Sequence, residues 1–167
     1  GDAVNYNSAV TLTGAVAIYT TSGAAAGAAI DFDSTINGTF NLTLTAGTGG
    51  NITFDQAVGG TTPLAVISIA SAQNVTATLG ISATSLSQTT GSGLTTLNGA
   101  VTTTGAAGVS LQNNNITINN TITTTTGNGT VTLNAASGTL TLAAAADISS
   151  GGIVELPGST AVSTAGH

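Results

Sequence analysis

The feature that most constrains the fold of this chain is a short phrase that returns about every 21 residues. The pattern is a bulky apolar residue, two turn-like residues, Ala or Thr, and then Val or Ile, and most copies follow it. Successive copies start roughly 20, 22, 21, 22, 21, 22 and 18 residues apart. A fixed period of this length is typical of a solenoid, in which each period forms one coil. The copies are Leu12–Val16, Phe32–Ile36, Phe54–Val58, Val75–Leu79, Leu97–Val101 and Ile118–Ile122, with weaker copies at Leu140–Ala144 and Gly158–Val162.

Alternating residues around the phrase predict that each period is built from strands. An apolar residue stands two positions before several copies, as in Ile30 before Phe32 and Ile52 before Phe54, which is the alternation of a strand with one buried face. Further alternating runs lie between the copies, as at Asn41–Thr45 and Val131–Leu133. Gly, Asn and Ser clusters separate these runs and favour tight turns. Each period therefore holds two or three short strands.

We predict an all-β parallel solenoid (β-helix) of about eight coils of about 21 residues each. The core of such a solenoid is narrow, which fits a chain whose apolar residues are mostly Ala, Val, Ile and Leu and whose aromatic content is 3%. Leu12, Phe32, Phe54 and Leu97 are expected to form one inner column. The alternative is an Ig-like β-sandwich, because Gly-rich turns at short intervals also suit that fold.

Charge and composition exclude several classes of function. The chain has 167 residues, no Lys or Arg, six Asp plus Glu, and a formal net charge of −6. Nucleic-acid binding is excluded, because a phosphate backbone must be met by basic side chains. Cys is absent, so there is no disulfide or Cys-ligated metal. No apolar run reaches the length of a membrane span, so membrane insertion is not expected. The lack of Arg and Lys also disfavours enzymes that stabilise oxyanions.

Three carboxylates form the one candidate metal site in the sequence. Asp31 and Asp33 flank Phe32 and should both point outward, and Asp55 occupies the position of Asp33 one coil later. Such a group could hold Ca²⁺, which takes oxygen ligands. The alternatives are a solvated face that keeps the protein soluble, and a carboxylate pair for glycoside hydrolysis. No other cofactor is expected. The single His, His167, is terminal and is not expected to be catalytic.

Three longer phrases resemble a known group of proteins. They are V-T-L-T-G-A-V at Val10–Val16, N-L-T-L-T-A-G-T-G-G-N-I-T-F at Asn41–Phe54, and A-V-G-G-T-T-P-L at Ala57–Leu64. These phrases resemble the β-strand repeats of very large bacterial surface proteins, of the filamentous-haemagglutinin and autotransporter-type adhesin kind. The resemblance implies a right-handed β-helix, a secreted or cell-surface location, and a role as stalk, fibre or adhesin. It supplies no catalytic residue.

The phase of the repeat suggests that the chain is a single solenoid unit, residues 1–167, of a longer array. Counting from Gly158 through His167 and on to Leu12 of an identical copy gives about 21 residues, one further period. Neither end has a Lys or a helix to block strand pairing. We therefore expect head-to-tail contact between copies, joined covalently or as a polymer. The residues expected at this interface are Asn5, Tyr6, Val10, Leu12, Ala161, Val162 and Ala165.

The function predicted from these features is a non-catalytic structural repeat of an extracellular bacterial filament or surface adhesin. One alternative is a β-helix module that binds a carbohydrate or a host surface. A second alternative is a polysaccharide-degrading β-helix enzyme, although enzymes of that fold typically depend on Arg or Lys, which this chain lacks.

Overall fold

The structure is a computed structural model that describes residues 1–158 and 161–164. The described residues form short strands and one 3₁₀ turn at Thr125–Gly127. Every strand pair is parallel, and each strand pairs with its equivalent one coil earlier or later. This pairing confirms the predicted β-solenoid and excludes the sandwich, whose sheets are antiparallel.

The chain winds through seven coils and begins an eighth. Coils 1 to 3 contain β1 (Val4–Tyr6), β2 (Val10–Thr11), β3 (Val16–Tyr19), β4 (Ile30–Phe32), β5 (Ile36–Asn37), β6 (Leu42–Thr45), β7 (Ile52–Phe54) and β8 (Leu64–Ser71). Coils 4 and 5 contain β9 (Val75–Ala77), β10 (Ile81–Gln88), β11 (Leu94–Leu97), β12 (Val101–Thr103) and β13 (Val109–Asn113). Coils 6 and 7 contain β14 (Asn115–Ile118), β15 (Ile122–Thr123), β16 (Val131–Ala135), β17 (Thr139–Leu142), β18 (Ile148–Ser149) and β19 (Val154–Glu155), and β20 (Ala161–Thr164) opens the eighth.

The strands lie in three stacks, one for each side of the coil. The first stack has the order β1-β4-β7-β9-β11-β14-β17-β20. The second stack runs from β2 and β5 through a bridge at Val58 to the start of β10, and then to β12, β15 and β18. The third stack contains β3, β6, β8, the end of β10, β13, β16 and β19. Strand β10 turns the corner between the second and third stacks without a break.

The coils are slightly longer and less regular than the sequence predicted. Equivalent inward positions of the first stack lie 26, 22, 23, 20, 21, 24 and 22 residues apart, so the mean is between 22 and 23 rather than 21. The number of complete coils is seven rather than eight. Extra residues are accommodated in the turns, as between β3 and β4, where Gly27 adopts a φ of 68°.

One inward column contains most of the residues that the sequence placed there. Tyr6, Phe32, Phe54, Ala77 and Leu97 follow one another in register. Three of these residues are aromatic and stack, with ring centroids 5.0 Å apart for Tyr6 and Phe32 and 5.5 Å apart for Phe32 and Phe54. Phe32, Phe54 and Leu97 were predicted correctly.

The prediction for Leu12 was wrong. Val10 pairs with Ile36, which places Leu12 two residues further on in the second stack, where its N–H donates to the carbonyl of Asn37. The first-stack position of coil 1 belongs to Tyr6 instead. A pair of inward residues separated by a short turn occurs at more than one corner of the coil. Leu12–Val16 therefore has the same residue pattern as Phe32–Ile36 although the two segments occupy different corners.

Because Leu12 lies in the second stack, the residue count that suggested one further period between two copies no longer holds. Gly158 lies in the turn before β20 and Leu12 lies in the second stack, so the count from Gly158 to Leu12 of a second copy does not compare equivalent positions. The matching pair is Thr164 and Tyr6, which occupy the same column at the two ends of the first stack.

A buried polar cluster interrupts the apolar core between coils 4 and 5. The Thr95 hydroxyl donates to Oε1 of Gln88 at 2.6 Å, and Nδ2 of Asn113 donates to Oγ1 of Thr95 at 3.0 Å. Oδ1 of Asn113 accepts from the N–H groups of Gly93 and Asn114, each at 2.8 Å. All three side chains of the cluster are buried, so their hydrogen bonds fix the position of the turn that links β10 to β11.

Candidate functional site

The two ends of the first stack expose unpaired strand edges. Strand β1 pairs only with β4, and β20 pairs only with β17, among the described residues. Both strands run in the same direction, because every pair between them is parallel. An edge strand presents a row of free N–H and C=O groups to which another strand can be added.

The hydrogen bonds of β1 identify which groups are free. The Val4 N–H donates to the Ala29 carbonyl at 2.9 Å, and the Tyr6 carbonyl accepts from the Asp33 N–H at 3.0 Å. In a parallel strand, alternate residues direct their N–H and C=O groups to opposite neighbours. The N–H and C=O of Asn5 therefore face the open edge. By the same alternation, the backbone groups of Val162 face the open edge of β20.

The core is also open at both ends. At the first coil, a cavity of about 380 Å³ opens between inward side chains that include Tyr6, Val10 and Leu12. At the other end, Val154, which continues the inward column of Val131, is 43% exposed, and Leu156 is 39% exposed. Natural solenoids cover such ends with polar caps, and the described residues provide none.

The residues predicted for an assembly interface lie at these ends, but in two different stacks. Asn5 and Tyr6 belong to β1, and Ala161 and Val162 belong to β20, so these four lie on the matching edges of the first stack. Val10 and Leu12 belong to the second stack and line the open core. Ala165 and His167 lie outside the described residues.

The three Asp residues of the predicted calcium site share the outer face of the first stack, as expected. Asp31 lies in register with Asn5 and Thr53. Asp33 and Asp55 follow the paired residues Phe32 and Phe54, so they are neighbours in adjacent coils. Within residues 1–158 and 161–164, no group of three or more His, Cys, Asp or Glu is arranged to hold a metal ion. Calcium binding by these residues therefore stays a prediction from the sequence.

A ladder of Thr side chains continues this outer face beyond the Asp residues. The outward position in the middle of five successive first-stack strands is occupied by threonine. These residues pair in register from coil 3 to coil 7 and are Thr53, Thr76, Thr96, Thr117 and Thr141.

A shallow groove of about 360 Å³ runs along the first three of these threonines. Next to the Thr ladder, Nδ2 of Asn74 donates to Oδ1 of Asn51 at 2.9 Å, and the Leu94 N–H donates to Oδ1 of Asn74 at 2.8 Å. These bonds hold the amides against the sheet. We call this surface the first-stack groove; its lining residues are Asn51, Thr53, Asn74, Thr76, Leu94 and Thr96.

The Thr hydroxyls of the first-stack groove are free to bind. The hydrogen bonds of the described residues include none from the side chains of Thr53, Thr76 or Thr96. Some hydroxyls elsewhere are bonded to backbone, as for Thr90 and Thr130. The sequence analysis did not single out this groove. The sequence feature that could have indicated the groove is the N-x-T pattern at Asn51 and Asn74, whose residues Thr53 and Thr76 lie one coil apart.

A scan against protein-family models, a search of curated proteins and a search of solved structures each found no match. Across the described part of the chain, no helix has the length and apolar character needed to cross a bilayer.

Proposed function

We propose that this protein is a structural β-solenoid repeat of an extracellular bacterial filament or surface adhesin, and that it is not an enzyme. The observation that carries the proposal is the pair of free, matching edges at the two ends of the first stack. A parallel edge at each end allows the rod to be extended by further coils in either direction. The resemblance to the repeats of giant bacterial surface proteins supports the same role.

The proposed contact pairs β20 of one copy with β1 of the next. Continuing the observed register places Val162 opposite Val4, Ser163 opposite Asn5, and Thr164 opposite Tyr6 of the next copy. The Asn5 N–H then donates to the Val162 carbonyl of the neighbouring copy, as in any internal pair of coils. Such a head-to-tail contact does not close on itself, so it produces a filament.

Only the first stack is continuous across this junction in the described part of the chain. There, the second and third stacks reach β18 and β19, one coil before β20. The junction therefore contains fewer hydrogen bonds than an internal boundary between coils. We expect assembly to be reversible and to depend strongly on protein concentration.

A non-catalytic role is supported by the distribution of polar groups. The chain has no Lys or Arg, and the carboxylates outside the Asp31, Asp33 and Asp55 group lie at the two end coils. The cavity at the mouth of the core is lined mostly by apolar side chains. Acid–base chemistry requires titratable groups within hydrogen-bond reach of a bound substrate. Among the described residues, no Asp, Glu or His lines this cavity or the first-stack groove, and the phenol of Tyr6 is the titratable side chain in the cavity lining.

The test uses the full 167-residue chain and two substitutions at one position. Asn5→Pro removes the backbone N–H that faces the open edge, and an edge strand tolerates proline. Asn5→Ala removes the side chain but keeps that N–H, so it is the matched control. Light scattering and negative-stain electron microscopy over a concentration series should show filaments for wild type and Asn5→Ala, and monomers for Asn5→Pro.

Two results would contradict the assembly proposal. One is a monodisperse wild-type monomer at the highest concentration. The other is equal assembly of Asn5→Pro and Asn5→Ala. Immunogold labelling of source cells tests the proposed location separately, and label confined to the cytoplasm would rule out a surface role.

A further inference from the structure

We propose that the first-stack groove binds a neutral, unbranched polysaccharide that lies along the rod axis. The inference rests on the proposed surface role and names the class of ligand for it. The groove crosses coils 3, 4 and 5, and its volume of about 360 Å³ is at the lower end of the range of cavities that hold small ligands. This size suits a short stretch of sugar rings.

The hydrogen-bonding groups of the groove suit a polyhydroxylated ligand. Thr53, Thr76 and Thr96 each contribute a hydroxyl that can donate and accept, and none is bonded within the described part of the chain. Because these residues pair in register, their hydroxyls recur at the coil spacing of about 4.8 Å. A polymer of pyranose rings presents its own hydroxyls at regular intervals, so successive rings can repeat the same contact.

The groove also contains an apolar contact and a fixed wall. Leu94 is 37% exposed and offers its side chain to the C–H face of a sugar ring. The bonded amides of Asn51 and Asn74 lie in the same column as Leu94, beside the Thr ladder, and are held in place before any ligand arrives. A ligand that meets groups already held in place loses less entropy on binding.

The charge of the protein favours the binding of a neutral polysaccharide over an acidic one. The chain has no Lys or Arg to meet sulfate, phosphate or uronate groups. Asp31 lies in register with Thr53, and Asp55 follows Thr53 by two residues on the same face, so both carboxylates stand at one end of the groove. They repel acidic polymers such as nucleic acids and sulfated glycans.

The experiment is native affinity electrophoresis of the full chain through gels containing soluble β-glucan, mannan or xylan. The test variant is Thr76→Val with Thr96→Val, which removes two groove hydroxyls and keeps β-branched side chains. The control is Thr43→Val with Thr132→Val, which changes two outward threonines of the third stack. Circular dichroism establishes that both variants keep the wild-type fold.

We expect at least one of the three polysaccharides to retard the wild type and the control variant. The test variant should bind about tenfold more weakly or worse, because two hydrogen bonds are lost at each site. Retardation by none of the polysaccharides, or equal behaviour of the two variants, would overturn the inference. Either outcome leaves filament assembly untouched, because assembly is measured without sugar and through Asn5.

Discussion

Replacing Phe54 by Ala tests whether the aromatic column stabilises the rod in the way that its geometry suggests. Phe54 is 1% exposed, stacks on Phe32 at 5.5 Å, and is followed in its column by the small side chain of Ala77. Since Ala77 cannot fill the space, the cavity left by the ring persists. Buried Phe→Ala changes cost about 3–5 kcal/mol, and we expect about 4 kcal/mol here.

Tyr6→Ala is the matched comparison at the end of the same column. Tyr6 stacks on Phe32 at 5.0 Å with one face only, and it is half-buried because no coil covers its other face. Its removal should cost about half as much, roughly 2 kcal/mol. Phe54→Leu, which keeps most of the buried volume, should cost less than Phe54→Ala.

Urea unfolding followed by circular dichroism measures these differences, since the protein has no Trp for fluorescence. A lower m value in Phe54→Ala would show that the coils on either side of the substitution unfold separately, as the nearest-neighbour behaviour of solenoids allows. The reasoning fails if Tyr6→Ala destabilises as much as Phe54→Ala, or if Phe54→Ala costs less than about 1 kcal/mol.

Three further predictions concern the buried cluster, the turns and the composition. Asn113→Ala should lower the unfolding free energy in urea by about 3 kcal/mol, because it leaves the Gly93 and Asn114 N–H groups without their acceptor. Asn114→Ala should lower it by about 1 kcal/mol. Equal losses for the two variants would contradict this. Gly27→Ala should lower stability by at least about 2 kcal/mol, because Gly27 has a φ of 68° and a Cβ there would overlap the carbonyl oxygen of Ala46. Gly14→Ala, with nothing within 4 Å of the new Cβ, should change stability by less than about 0.5 kcal/mol, and a large loss there would be inconsistent with the turn geometry. Trypsin should leave the 167-residue chain intact by mass spectrometry even after heat unfolding, because there is no Lys or Arg; the appearance of tryptic fragments would contradict this.

The sequence was sufficient to predict the fold because the solenoid repeats its burial pattern in every coil. Ile30 and Phe32, and Ile52 and Phe54, each lie on either side of an outward residue, and these pairs align directly in the structure. The alignment failed where the local pattern is ambiguous. Leu12–Val16 and Tyr6–Val10 both have an apolar residue, a short turn and Val, and only strand pairing distinguishes the corner that each occupies.

The groove and the buried cluster were harder to predict because they depend on residues from several coils. Thr53, Thr76 and Thr96 are separated by 23 and 20 residues, so a fixed period of 21 does not bring them into one line. Gln88, Thr95 and Asn113 are polar and lie in strands whose other inward residues are apolar. Their contacts depend on how the chain turns between β10 and β11, which the period does not specify.

The direction of the hydrogen bonds between coils determines how the rod responds to mechanical load. These bonds run along the rod axis, because each coil pairs with the next. Tension applied along the axis at the two ends therefore loads the outermost coil first, and its bonds break in sequence rather than together. Each released coil of roughly 22 residues can extend to about 70 Å, compared with the 4.8 Å or so that it occupies when folded. A covalently continuous rod of such coils would lengthen coil by coil under a steady, low force and so absorb the energy of a sudden pull, whereas copies held only by the β20–β1 contact would separate at that weaker junction first.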